Sequence, residues 1–219
     1  MKIKKILMTV LACVFVFSTF AIGSFTPKEG VDYTVISSKS KTKLDKHAKV
    51  NVKVFFSFTC IHCKDLEPLM QKFIASNKNT QVEMVHVVWG DDPTIKSLAK
   101  LNATLTNEEL KNMKLKRLYV PIFNALFANQ NLTDPNVLKG FLSKNGLTKA
   151  QIDKFFSVYN SFDVNATIGN YKSMTADPKY AVSGTPTIVV ADKYIVSPAQ
   201  PDKLIQVTSA LVNQISTGK

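Results

Sequence analysis

Cys60 and Cys63, set at the end of the run Phe55-Phe56-Ser57-Phe58-Thr59 and enclosing Ile61-His62, are the residues of this 219-residue chain whose types and spacing suit chemistry. Two cysteines so close together close too small a loop to restrain the unfolded chain much, so a bond between them is useful for its reactivity rather than as a staple. If a strand ends before the pair and a helix begins at it, the first sulfur sits at a helix N-terminus, where unpaired N–H groups and the helix dipole favour a thiolate. Cys60 is then the nucleophile, and Cys63, about one turn further on, its more buried partner. His62 can add positive charge or a hydrogen bond to the Cys60 thiolate, which stabilises the reduced pair and makes the disulfide more oxidising. Zinc is the competing use of Cys-x-x-Cys. The chain has no second such pair and only His47 and His86 as further nitrogen ligands, so no metal is expected.

The elements that must position this pair can be read from the surrounding pattern. Residues 50–58 are rich in valine and phenylalanine, the composition of a buried strand. A helix then starts at Thr59 or Cys60 and carries Leu66, Leu69, Met70, Phe73 and Ile74 on one face, with Pro68 predicting a kink near Lys64. Residues 82–89 form a second strand, ended by Gly90-Asp91-Asp92-Pro93, so strand, helix and strand imply a parallel βαβ unit with a right-handed crossover. Ahead of it, 33–37 reads as an edge strand or N-terminal arm.

From 94 to 175 the pattern is helical, with segments expected at 94–101, 108–113, 115–129, 135–144, 149–161 and 164–174. Asp134 before Pro135, and Thr148 with Gln151 three residues on, are start signals; Asn145-Gly146 is a stop. Strand propensity returns at 187–191, a turn follows at Asp192-Lys193, and 194–196 completes an antiparallel hairpin before a last helix at 201–215. The expected class is α/β: one sheet domain built from residues 24–93 and 176–219, interrupted by a helical insertion over 94–175.

Lys2, Lys4 and Lys5 precede an apolar run to about Ile22, and Ala21 and Gly23 are small residues suited to cleavage before Ser24. This is the layout of a secretory signal peptide over residues 1–23. A retained membrane anchor is the rival use of such a run; lipidation at Cys13 fits poorly, because the apolar run continues past it. Export removes Cys13 and leaves Cys60 and Cys63 in an oxidising compartment. The full chain has 28 basic and 16 acidic residues, giving +12. Arg117 is its only arginine, and without the bidentate contacts that arginine supplies the lysines read as a solvated surface, so nucleic acid is not expected as a partner. Trp89, Phe123, Phe127, Phe155, Phe156 and Tyr159 are expected in packing, and His86, in a strand, as a packed histidine.

Phe55-Phe56-Ser57-Phe58 leading into Cys60-Ile61-His62-Cys63 resembles the active site of the DsbA-like thiol:disulfide oxidoreductases, secreted members of the thioredoxin fold. Gly30-Val31-Asp32-Tyr33 is similar to their entry, Val85-His86-Val87 to the strand after their active-site helix, and Val182-Ser183-Gly184-Thr185-Pro186 to their cis-proline loop. The resemblance implies a thioredoxin fold with an inserted helical domain, and a cis Thr185–Pro186 bond packed against Cys60 and Cys63. Lacking an N–H, Pro186 would leave the backbone of Thr185 to pair with an extended substrate peptide, and Thr185 could tune the nearby thiolate. Two departures stand out. Ile61 occupies a place often held by proline, and the strand before the pair reads Val52-Lys53-Val54 where many members carry a buried acid. Glu67 lies too far along the helix to be assigned that role.

The function so implied is a periplasmic dithiol oxidase. It would pass its Cys60–Cys63 disulfide to reduced or unfolded exported proteins through a mixed disulfide on Cys60, as a monomer and without a cofactor. A quinone-linked membrane oxidase of the DsbB type would restore the disulfide. A reductase or isomerase of the same fold, for which Thr185 is a mild pointer, and a noncatalytic peptide-binding chaperone module are the alternatives.

Overall fold

The computed structural model describes residues 25–36, 49–197 and 200–218. The segment 1–23, expected to be a signal peptide, and His47 lie outside the described residues. Strand β1 (Tyr33–Val35) is followed by β2 (Val50–Phe56), helix α1 (Ile61–Ser76) and β3 (Thr80–His86). Helices α2 (Pro93–Leu105), α3 (Tyr119–Phe127), α4 (Pro135–Lys144), α5 (Lys149–Tyr159) and α6 (Phe162–Ala176) come next, then β4 (Thr187–Val190), β5 (Tyr194–Val196) and α7 (Pro201–Thr217).

Among the described residues the sheet has the order β1-β5-β4-β2-β3. β2 and β3 run parallel in the register Val54↔Met84 and Phe56↔His86, as the βαβ reading requires, while β4 pairs antiparallel with β2 and with β5. β1 is an edge strand on β5. β2 and β4 are central and covered on both faces, which is why they read as continuous apolar runs: Val52, Phe55, Ile188, Val189 and Val190 have no solvent exposure. Each such side chain contributes about 1.5–3 kcal/mol of transfer free energy.

β2 is shorter than the apolar run that announced it. Phe58 is apolar but not strand, because its N–H is taken by the Nε2 of His86 at 3.2 Å rather than by a neighbouring strand, and Ser57 and Thr59 turn the chain toward α1. β3 likewise stops at His86, since the Val88 N–H leaves the sheet for the Thr175 hydroxyl at 3.2 Å. α1 runs on through Pro68.

Residues 108–113 and 115–118 are 3-10 turns rather than α-helix, broken at Lys114, which takes a left-handed φ of 52°. α4 has the expected bounds, with Asp134 accepting from Asn136 and Val137, and Thr148 and Gln151 form a capping box at α5. The helices between β3 and β4 are fastened to the sheet by fully buried Asn102, whose amide donates to the Met84 carbonyl (2.8 Å) and the Tyr171 hydroxyl (3.0 Å) and accepts from the Tyr119 hydroxyl.

Candidate active site

The loop from β2 to α1 delivers Cys60 to the first position outside the helix. Its backbone is extended (φ −91°, ψ 120°), and its sulfur accepts from the Cys63 N–H at 3.4 Å, the work of an N-cap side chain. The loop is held from below: Cys60 N–H donates to the Ser57 carbonyl (3.1 Å), and Lys64 N–H to the Cys60 carbonyl (3.1 Å). His86 has no solvent exposure and lies against the rings of Phe56 and Phe58, with centroids at 5.3 and 5.6 Å. Its Nδ1 donates to the Val87 carbonyl at 2.9 Å while Nε2 accepts from Phe58 N–H. Both ring nitrogens are thus engaged by backbone, and burial keeps the ring neutral, its pKa lowered to about 4. This packed histidine anchors the loop that carries Cys60, and both of its ring nitrogens are already taken. Among the described residues no group of three or more His, Cys, Asp or Glu gathers as a metal site.

Both thiols are free, Cys60 partly exposed and Cys63 buried. Their acidities diverge. Cys60 is lowered to about 5, first by the hydrogen bond from the Cys63 thiol and then by Thr185 and the backbone N–H groups of Cys63 and His62, against a smaller opposing effect of burial. Cys63 is pushed well above the ordinary thiol range by that same hydrogen bond to Cys60 and by its burial. A pair polarised in this way has one ready nucleophile at neutral pH and one held protonated.

The opposing wall is the loop before β4. The Thr185–Pro186 peptide bond is cis, and the Thr185 carbonyl lies 3.2 Å from the Cys60 sulfur. Beside it opens a groove of about 460 Å³, lined among others by His62, Thr185, Pro186, Ile195, Val196 and Leu204. Cys60, Cys63, His62, Thr185 and Pro186 are therefore brought together. His62 acts on the thiolate through its backbone N–H and turns toward the groove, while Ile61 stands 46% exposed at the first turn of α1.

Glu67, further along α1, is 2% exposed and lines the same small cavity as Cys63. The signal was its spacing of four residues from Cys63, which puts both on one helical face.

The model of the DSBA-like thioredoxin domain family matches residues 51–207. The chain is 30% identical to the thiol:disulfide interchange protein DsbA of Burkholderia cepacia over 224 residues, covering 99% of each chain. To the protein of the same name from Bordetella pertussis it is 28% identical, over 70% of this chain and 69% of that one. Among solved structures, reduced DsbA1 from Neisseria meningitidis superposes with a TM-score of 0.71 at 26% identity, covering 88% of this chain and 96% of the other. The sheet and its flanking helices are thus a thioredoxin fold carrying extra helices.

Proposed function

We propose, from the premise that the chain belongs to the DSBA-like thioredoxin domain family and is a thiol:disulfide oxidoreductase, that it works as an oxidase of exported proteins. The observation that carries this reading is the opposed acidity of Cys60 and Cys63. Stabilising the Cys60 thiolate stabilises the reduced pair, so the disulfide gives itself up readily. A substrate thiolate attacks the Cys60 sulfur, the Cys60–Cys63 bond breaks, and its electron pair leaves on Cys63. A second substrate thiolate attacks the substrate sulfur of the mixed disulfide and releases Cys60 as a thiolate, a good leaving group at a pKa of about 5.

The groove beside Pro186 suits an extended peptide, with the Thr185 backbone as its pairing edge and His62 in its lining. On this reading the helical segment 94–175 is an insertion into the thioredoxin fold, the chain acts in the periplasm after loss of residues 1–23, and a quinone-linked membrane oxidase of the DsbB type restores the disulfide. No helix among the described residues is long and apolar enough to cross a membrane.

The test is complementation of a bacterial strain deficient in disulfide formation. The full chain should restore disulfides to exported proteins, and a Cys60→Ala, Cys63→Ala double variant should not. Full complementation by the double variant would remove the enzymatic reading. Trapping the pair in cells separates the directions, since mainly reduced Cys60 and Cys63 would indicate a reductase or isomerase.

A further inference from the structure

Lys53 is the charged residue of the central strand β2, and it is 8% exposed. An ammonium so placed needs compensating partners. It finds them in Asp192, to whose two carboxylate oxygens it donates at 2.8 and 2.9 Å, with Glu83 of β3 at 4.0 Å. Asp192 belongs to the turn between β4 and β5. It accepts a further bond, at 2.7 Å, from the hydroxyl of Tyr180, a residue 4% exposed that ends the 3-10 turn Pro178–Tyr180. Because side chains alternate along a strand, Phe55 shares the Lys53 face of β2, and its ring meets that of Tyr180 with centroids at 5.2 Å.

The cluster therefore joins three elements that all lead to the active site: β2, which runs into the Cys60 loop, the β4–β5 hairpin, and the turn from which the chain sets out toward Thr185 and Pro186. Residues 181–186, the wall opposite Cys60, form neither helix nor strand. Their far end is held by β4 and by the Thr187 hydroxyl, which donates to the Gly184 carbonyl at 2.8 Å. Their near end begins at Tyr180. Ala181, the next residue, lines the groove and takes a left-handed φ of 47°. On the other side of the Tyr180–Asp192 bond the hairpin turn is left-handed too, at Ala191 (54°) and Asp192 (51°). Residues other than glycine keep such backbone where their surroundings impose it. Lys53 and Asp192 would suffice to tie the hairpin to β2, and the Tyr180 hydroxyl adds the link to the loop.

We infer that Tyr180 is a positioning residue for the peptide groove: through its bond to the Asp192–Lys53 pair it fixes where the 181–186 loop, and with it the Thr185 backbone, stands relative to Cys60. The inference rests on the peptide-oxidising role proposed above. Without the hydroxyl, the ring still fills its place against Phe55, and Asp192 still pairs with Lys53, so the fold is kept while the near end of the loop is released. An extended peptide then meets a pairing edge that it must first order, which costs affinity. The Thr185 groups that face the Cys60 sulfur lose alignment at the same time.

The experiment compares Tyr180→Phe with Tyr171→Phe, which removes another buried hydroxyl, one on α6 that accepts from the Asn102 amide at 3.0 Å. Two readouts are taken on the full chain: single-turnover oxidation of a dithiol peptide over a range of peptide concentrations, and ultraviolet titration of the Cys60 thiolate in the reduced protein, which needs no peptide. Tyr180→Phe should raise the peptide concentration for half-maximal rate by about three- to tenfold, what one hydrogen bond is worth, with less change in the limiting rate. It should also move the Cys60 midpoint upward from about 5. Tyr171→Phe should leave both at their wild-type values, whatever stability it costs. An unmoved half-maximal concentration and midpoint in Tyr180→Phe, or equal shifts in the two variants, would overturn the inference. A wild-type chain unable to oxidise the peptide at all would instead overturn the functional reading beneath it, and the titration would still decide whether Tyr180 positions the loop.

Discussion

The sulfur of Cys60 lies 3.2 Å from the carbonyl oxygen of Thr185, a residue 125 positions away in the chain. A carbonyl oxygen can accept from a thiol but has nothing to give a thiolate. The charged form must therefore draw its support from donors: the Cys63 thiol first, then the Thr185 side chain and the first N–H groups of α1. The cis-proline loop thus presents Cys60 with one group for each protonation state, the Thr185 carbonyl for the thiol and the Thr185 hydroxyl for the thiolate.

Thr185→Val keeps the β-branched shape and the carbonyl but removes the hydroxyl. The Cys60 pKa should move up from about 5 toward the ordinary thiol value. Ultraviolet titration of the thiolate should then show up to about tenfold less thiolate near the wild-type midpoint, the worth of one hydrogen bond to a charged group.

The reduced and oxidised forms should differ in the pH dependence of their stability. Cys60 titrates at about 5 in the folded reduced protein against an ordinary 9.0, so its stabilisation is complete above pH 9.0 and is lost as pH falls through about 5. Cys63, raised instead, is protonated in both states below 9.0 and adds no slope in that window. Denaturant unfolding of both forms at several pH values should show the reduced form losing its advantage on acidification, while the oxidised form, with no thiol, lacks this component.

His86→Phe fills the same space among Phe56 and Phe58 but leaves the buried Phe58 N–H without its acceptor. The expected loss is about 1–3 kcal/mol by denaturant unfolding. The wild-type chain carries a slope the variant should lack. His86 is lowered from 6.5 to about 4, so the stabilisation by its neutral form is present above 6.5 and fades as pH falls through about 4.

Ile61→Pro should be tolerated. Ile61 is the first residue of α1, where a proline loses no helical hydrogen bond, and Cys60 before it has the extended backbone that a following proline demands. Thermal unfolding should show stability unchanged or raised by roughly 0.4–1 kcal/mol, through reduced freedom of the unfolded chain.

The βαβ unit around Cys60 and the bounds of α4 were legible in the sequence because they rest on local patterns: apolar runs, caps at Asp134 and Thr148, and a stop at Asn145-Gly146. The early end of β2 was not legible, because the group that replaces its strand partner is the His86 side chain, 28 residues away. The break at Lys114 was hidden for another reason, since no glycine marks its left-handed backbone. The burial of Glu67 was not stated by the local sequence, in which charged Lys64 and Asp65 flank the apolar positions of α1. Its spacing of four from Cys63 placed it on the same helical face, and the packing of β2 and α3 against α1 shows how deeply that face is buried.

Whether Cys60-Ile61-His62-Cys63 is an oxidising pair is decided most directly by its redox equilibrium with glutathione, read from alkylation of the free thiols. The expected result is a potential well above that of the glutathione pool, toward the oxidising end of the thioredoxin-fold range at about −120 mV. A potential near about −270 mV, the reducing end of that range, would contradict it.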